Sequence, residues 1–237
     1  MFIIPDLELI ETSLIYYGDA SVRWVFDTNS SVVCLEASNK QHVSSEHWIS
    51  ENSDIFSFTE QGDLACLRFS VPGENYTAQI NIEKTIAGRI KLHKSLYSVP
   101  QTTLRLFDPK KRRISCFMAA PMGGRILTRV NFANDLTILL SGDEYFGFEL
   151  SNPLDYLATK PDDPIDHENR ANDDEYLLMS ALLEIISDNT VEALDNDMTE
   201  VANELKTRIL PQIEVIKSPF RKAIIESSLE DFIDYYA

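Results

Sequence analysis

The sequence predicts an α+β protein: an antiparallel β barrel or sandwich over residues 1–150, an acidic, proline-containing connector over 151–172, and a helical C-terminal region over 173–237. Three observations lead to that division. Up to residue 150 the chain is a series of short apolar, β-branched and aromatic runs, each closed by turn residues. Pro153, Pro161 and Pro164 then stand among Asp162, Asp163, Asp166 and Glu168, the composition of an exposed connection. Beyond residue 172 the apolar positions advance by three and four, the period of a helix.

The clearest strand signals lie at Leu64–Val71, where Ala65, Leu67, Phe69 and Val71 alternate with Arg68 and Ser70, and at Tyr76–Glu83, where Tyr76, Ala78, Ile80 and Ile82 share one face. Further strands are expected at Val22–Phe26, Ser31–Glu36, Asp54–Thr59, Thr102–Phe107, Arg112–Ala119, Arg125–Phe132, Leu136–Leu140 and Tyr145–Leu150. Gln61-Gly62-Asp63, Pro72-Gly73-Glu74-Asn75, Asp108-Pro109-Lys110-Lys111, Met122-Gly123-Gly124, Asn134-Asp135 and Ser141-Gly142-Asp143 supply the reversals. Ten short strands with hairpin-length connections indicate a barrel or sandwich. Glu46–Ile49 suits one helical turn.

In Asp173–Asn189, Leu178, Leu182, Ile185 and Ile186 fall on one helical face, and Leu177, Met179 and Leu183 make the segment apolar nearly all round, so it must be buried. A second helix is expected over Thr190–Leu210, with Val191, Leu194, Met198, Val201 and Leu205 as its apolar side, ended or bent by Pro211. Ser218-Pro219 is a favourable cap and first residue for a last helix, whose apolar side carries Ala223, Ile224, Leu229, Phe232, Ile233 and Tyr236. These apolar helices also offer a surface for homo-oligomerisation.

With 237 residues and 44% hydrophobic content the chain can bury a sizeable core, which excludes a disordered protein, and its 8 glycines exclude a fibrous one. The N-terminal Met1–Asp6 lacks the basic and apolar regions of a secretory signal, and no apolar stretch is long enough to span a bilayer, so a cytoplasmic protein without membrane attachment is expected. Cys34, Cys66 and Cys116, odd in number and each inside an apolar run, read as free, buried thiols. Asn29-Ser30-Ser31 and Asn75-Tyr76-Thr77 match the glycosylation sequon and read as turn residues.

No phosphate-loop, dinucleotide, nucleophile-elbow or zinc-protease pattern occurs. His42 and His47 are spaced off a common helical face and lack a third ligand, and Asp162–Glu168 lacks the ligand order and glycine of a calcium loop. No catalytic residue, metal site or cofactor is assigned, and a binding protein is expected rather than an enzyme.

Charge is the feature that points to function. Residues 84–129 carry eleven basic side chains against the single acid Asp108, whereas residues 130–204 carry nineteen acids against Lys160 and Arg170. Fifteen of those acids lie between Asp155 and Glu204, so the anionic half coincides with the connector and first helices. The favoured expectation is a non-enzymatic binding protein whose acidic surface, with Asp162, Asp163, Asp166, Asp173, Asp174, Glu184 and Asp188, attracts a basic protein partner by electrostatic steering, inhibition of that partner being one outcome. The alternative is a nucleic-acid-binding protein whose Arg105, Lys110, Lys111, Arg112, Arg113, Arg125 and Arg129 meet phosphates while Tyr97, Phe107 or Phe117 stack on bases, the acidic region restraining it.

Overall fold

Alternating strands joined by tight turns form two sheets in a computed structural model, which describes residues 2–4, 7–37, 54–77, 80–92, 99, 101–121, 125–166 and 168–236. The strands are β1 (Phe2–Ile4), β2 (Leu7–Thr12), β3 (Ser21–Val25), β4 (Ser31–Glu36), β5 (Ile55–Phe58), β6 (Leu64–Val71), β7 (Glu74–Asn75), β8 (Asn81–Leu92), β9 (Leu104–Asp108), β10 (Arg113–Phe117), β11 (Ile126–Asn131), β12 (Leu136–Ser141), β13 (Glu144–Ser151) and β14 (Leu157–Ala158). They are followed by α1 (Asp173–Ile185), α2 (Asp188–Ala193), α3 (Met198–Glu204) and α4 (Pro219–Tyr236).

The larger sheet has the order β1-β2-β8-β11-β12-β13-β10-β9-β7, and the smaller β14-β3-β4-β6-β5. Among the described residues no closed barrel forms, which corrects the barrel alternative, and the sheets are mixed rather than purely antiparallel. The reason is topological. The β9–β10 hairpin pairs on the far side of β13, so β11 returns beside β8 in the same direction, and the pairs β7–β9 and β3–β14 are parallel as well. The sheets share one apolar core with the helices, in which Phe69 of β6 stacks on Phe148 of β13 with ring centroids 4.6 Å apart. Leu178, Met179, Leu182 and Leu183 of α1 and Ile224, Leu229 and Phe232 of α4 belong to that core. A smaller cluster, Leu104, Phe117, Leu127, Leu139 and Phe146, lies on the other face of the large sheet.

Two expected elements take a different form. Residues 76 and 77 are not in a strand and Ala78 and Gln79 lie outside the described residues; Tyr76, Ile80 and Ile82 pack on the smaller cluster, and the strand that follows is β8. The helix expected over Thr190–Leu210 is divided into α2 and α3, because Asp195 and Asn196 adopt the left-handed conformation and Asp197 caps α3 by accepting from the backbone N–H groups of Thr199 and Glu200. The chain then passes through a π-turn at Leu205–Ile209 and a 3-10 turn at Leu210–Val215, with Pro211 at its start. Ser218 caps α4, its Oγ accepting from the Arg221 N–H at 3.2 Å. Part of the connector is structured, since Leu157–Ala158 form β14 on the edge of the small sheet. Cys34 and Cys116 are free and buried, while Cys66 is half-buried. Among the described residues no helix is long and apolar enough to cross a membrane.

Candidate functional site

Helix α1 carries the centre of the acidic segment, and its position is set at both ends. At its N-terminus Asn172 Oδ1 accepts from the N–H groups of Asp174 (2.9 Å) and Glu175 (3.2 Å), and Glu175 Oε1 accepts in return from the Asn172 N–H, a complete capping box. Glu175 is itself enclosed: its Oε2 accepts from Arg221 Nε of α4 at 2.9 Å, both side chains being 2% exposed. Asp173 pairs outside this cap with Arg112 at 2.8 Å, and the Arg112 guanidinium lies 5.4 Å from the centre of the Tyr176 ring.

At the other end Arg105 of β9, 4% exposed, donates from Nη2 to the Leu183 carbonyl at 2.6 Å and from Nε to Asn75 Oδ1 at 2.8 Å. Asn75 completes the junction, donating to the Leu183 carbonyl (3.3 Å) and Glu184 Oε2 (3.1 Å) through its side chain and to Asn189 Oδ1 (2.8 Å) through its N–H. A cation is thus placed where the terminal carbonyls of α1 concentrate negative potential. Burial lowers the Arg105 pKa to about 10, against the raising effects of Cys116, Asp188 and Glu184. Asp188 N–H donates to the Gly73 carbonyl at 3.2 Å, and the Asp188 carboxylate lies against Gly73, 2.3 Å from where a Cβ would stand, so a larger residue there would turn that exposed side chain aside.

The seven acids singled out in the sequence therefore separate. Asp163 turns inward, accepting from Thr159 Oγ1 and from the N–H groups of Thr159 and Lys160. Asp166 accepts from Ser218 Oγ and from the side chain and N–H of Asn169. Asp173 is held by Arg112, and Asp162 lies 3.9 Å from Lys160. Asp174, Glu184 and Asp188 are exposed, and none of them forms an ion pair among the described residues. Asp174, Leu177, Ala181 and Glu184 follow one another at helical spacing, and Leu177 is 57% exposed although the rest of the apolar surface of α1 is in the core. The outward stripe of α1 is thus a single leucine between carboxylates.

The seven basic residues do not form one groove. Arg105 faces the core. Arg113 and Arg129 lie on the opposite face of the large sheet, where buried Glu149 accepts from Arg129 Nε, from Arg129 Nη2 at 3.1 Å and from Ser115 Oγ at 2.8 Å, with Arg113 Nη1 3.7 Å away. Lys110, Lys111 and Arg112 occupy the β9–β10 turn, where Asp108 Oδ1 accepts from the N–H groups of Lys110 and Lys111 and Lys111 Nζ lies 3.2 Å from Oδ2. Burial pushes the Asp108 carboxyl up, but the Lys111 contacts outweigh it and hold it below its ordinary value. Arg125 is exposed over the Phe146 ring. Phe117 is fully buried in the smaller cluster and Phe107 stacks against Tyr176.

Asn75, read as a turn residue, is a strand residue anchoring α1, and Glu149 and Leu177 were missed as charge hub and exposed apolar point. Glu149 had a signal, a lone acid between Phe148 and Leu150 in an apolar strand. Asn29 does sit in a turn, where Asp27 Oδ1 accepts from its N–H. His42, His47, Glu46–Ile49, His93, Tyr97, Met122–Gly124 and His167 lie outside the described residues. Among the described residues no three His, Cys, Asp or Glu side chains converge as metal ligands. No known protein family, characterised protein or solved structure matches the chain.

Proposed function

We propose that this protein is a non-enzymatic binding protein whose acidic helical surface engages a basic macromolecular partner and so occludes the surface through which that partner binds anions. The observation that carries the reading is the difference in what each charged set has left to offer. Of the seven acids, Asp174, Glu184 and Asp188 stay exposed without an ion pair among the described residues and follow one another along α1 and the start of α2, Glu184 accepting only from Asn75, whereas the exposed cations Lys110 and Arg125 sit on different elements and Arg105, Arg112, Arg113 and Arg129 are paired with a carbonyl or carboxylate. Carboxylates on a fixed helix can replace phosphates in the site of a basic partner, and their field accelerates its encounter. Leu177 supplies the apolar contact that charge alone lacks.

The test is capture from the native cell with the wild-type protein and with an Asp174→Lys/Glu184→Gln variant, in which both side chains are exposed and the glutamine keeps an acceptor for Asn75. A basic protein retained by the wild type, released by salt and absent from the variant supports the reading. Equal retention by both overturns it, and low-salt retention of single-stranded DNA or RNA, lost on charge reversal at Lys110 and Lys111, would replace it with the nucleic-acid reading.

A further inference from the structure

We infer that Asp54 is a proton-operated clasp between the two sheets, which holds the edge strand β5 more tightly in mild acid than at neutral pH. The inference is independent of the partner reading. Asp54 immediately precedes β5, the outermost strand of the small sheet, and is fully buried. Its Oδ1 accepts from the Ser70 N–H of β6 at 2.9 Å, and its Oδ2 accepts from the Tyr145 hydroxyl of β13, in the other sheet, at 3.1 Å. Its backbone forms an isolated bridge with Val99, and Thr102 Oγ1 donates to the Ser70 carbonyl at 3.0 Å, so Asp54 and the Ser70 it holds tie β5 to several separate segments.

Among the described residues the groups facing Asp54 supply dipoles and no cation. Tyr145 comes from β13, and the Cys116 thiol of β10, fully buried, is disfavoured from ionising first by burial and then by Asp54. Arg105 of β9 is directed to Leu183 and Asn75, and Arg68 of β6 is exposed on the side of Cys34 and Cys66. Among the described residues Asp54 has no ion-pair partner. An enclosed carboxylate without a cation favours its neutral form. Burial raises Asp54 from its ordinary 3.8 to about 6, although the donors from Ser70, Tyr145 and Thr102 each favour the charge. A proton taken from solvent onto the carboxyl removes the buried charge.

The mechanical consequence falls on β5. Phe56 packs against Phe69 (5.3 Å between centroids) and Tyr145 (6.0 Å), so the ring that Asp54 orients is also a wall of the pocket that holds β5. A folded-state value above the unfolded one means that protonation stabilises the clasp fully below the unfolded value, and that this gain is lost as pH rises through about 6. A shift of about two units bounds the change in the opening equilibrium at about 100-fold.

Hydrogen exchange of the β5 amides from pH 4 to 8, corrected for intrinsic chemistry, tests this. The wild type should lose protection as pH rises, by up to about 100-fold. Asp54→Asn should abolish the dependence, and Tyr145→Phe, which removes a donor to the charged form, should move its midpoint upward. Should Asp54→Asn fail to fold, the Asp54 carboxyl carbon can be titrated by NMR in the wild type. A flat wild-type profile, a pH dependence that persists in Asp54→Asn, or a carboxyl that titrates in the ordinary carboxylate range would each overturn the inference.

Discussion

The basic middle of the chain and the acidic helical third begin as mirror images in sequence and end differently in the fold. On strands, side chains alternate between faces, so neighbouring cations are sent apart: Arg105 into the core, Arg113 and Arg129 to the outer face, where Glu149 receives them. On α1, residues three and four apart line up, so Asp174 and Glu184 stay on one outward stripe while Glu175 turns inward to Arg221. The same density of like charge is dispersed by a strand and concentrated by a helix. That is why the acids left exposed, Asp174, Glu184 and Asp188, lie together, while the exposed cations Lys110 and Arg125 sit on different elements.

Breaking the inward charges should have the largest effects. Arg221→Ala leaves Glu175 buried without its cation and should cost about 3–5 kcal/mol of unfolding free energy, read as the denaturant midpoint. An Arg221→Met/Glu175→Leu pair should recover part of that loss, because neither charge is then stranded although the capping box loses its Glu175 acceptor. Next comes the junction that aims α1. Arg105→Ala removes the donor from the Leu183 carbonyl and should cost about 2–3 kcal/mol, with hydrogen exchange rising at the end of α1 and in α2. Gly73→Ala should have a smaller effect on the same region, because the Asp188 carboxylate that its Cβ would meet is exposed and can turn aside. The exposed Arg112–Asp173 pair sits at the other extreme: Asp173→Asn should change stability by less than about 1 kcal/mol, and the change should vanish in high salt.

Elements with a local signature were legible in the sequence. Ser31–Glu36 and Leu64–Val71 have the boundaries that alternation and turn residues mark out, and the Ser218-Pro219 cap stands where its chemistry requires. β1 and β2 were missed because the first strands carry no turn-bounded alternation, and β8 because its polar run Glu83–Thr85 hides a strand held between β2 and β11. The parallel return of β11 and the open sheet edges depend on contacts far apart in the chain, which no local pattern encodes. The candidate site divides in the same way. That acids cluster in the helical third is written in the sequence, but which of them face outward depends on where Arg112, Arg221 and Ser218 arrive, and those residues are 45 or more positions from the carboxylates they meet.

The central claim is that carboxylates on the outward stripe of α1 make the contact with a basic partner. The most direct measurement is the salt dependence of the affinity for the captured partner, compared between the wild type and the Asp174→Lys/Glu184→Gln variant. A steep loss of affinity with salt in the wild type, and a weak, nearly salt-independent affinity in a variant of unchanged stability, is the predicted result. Identical salt slopes for the two proteins would contradict it.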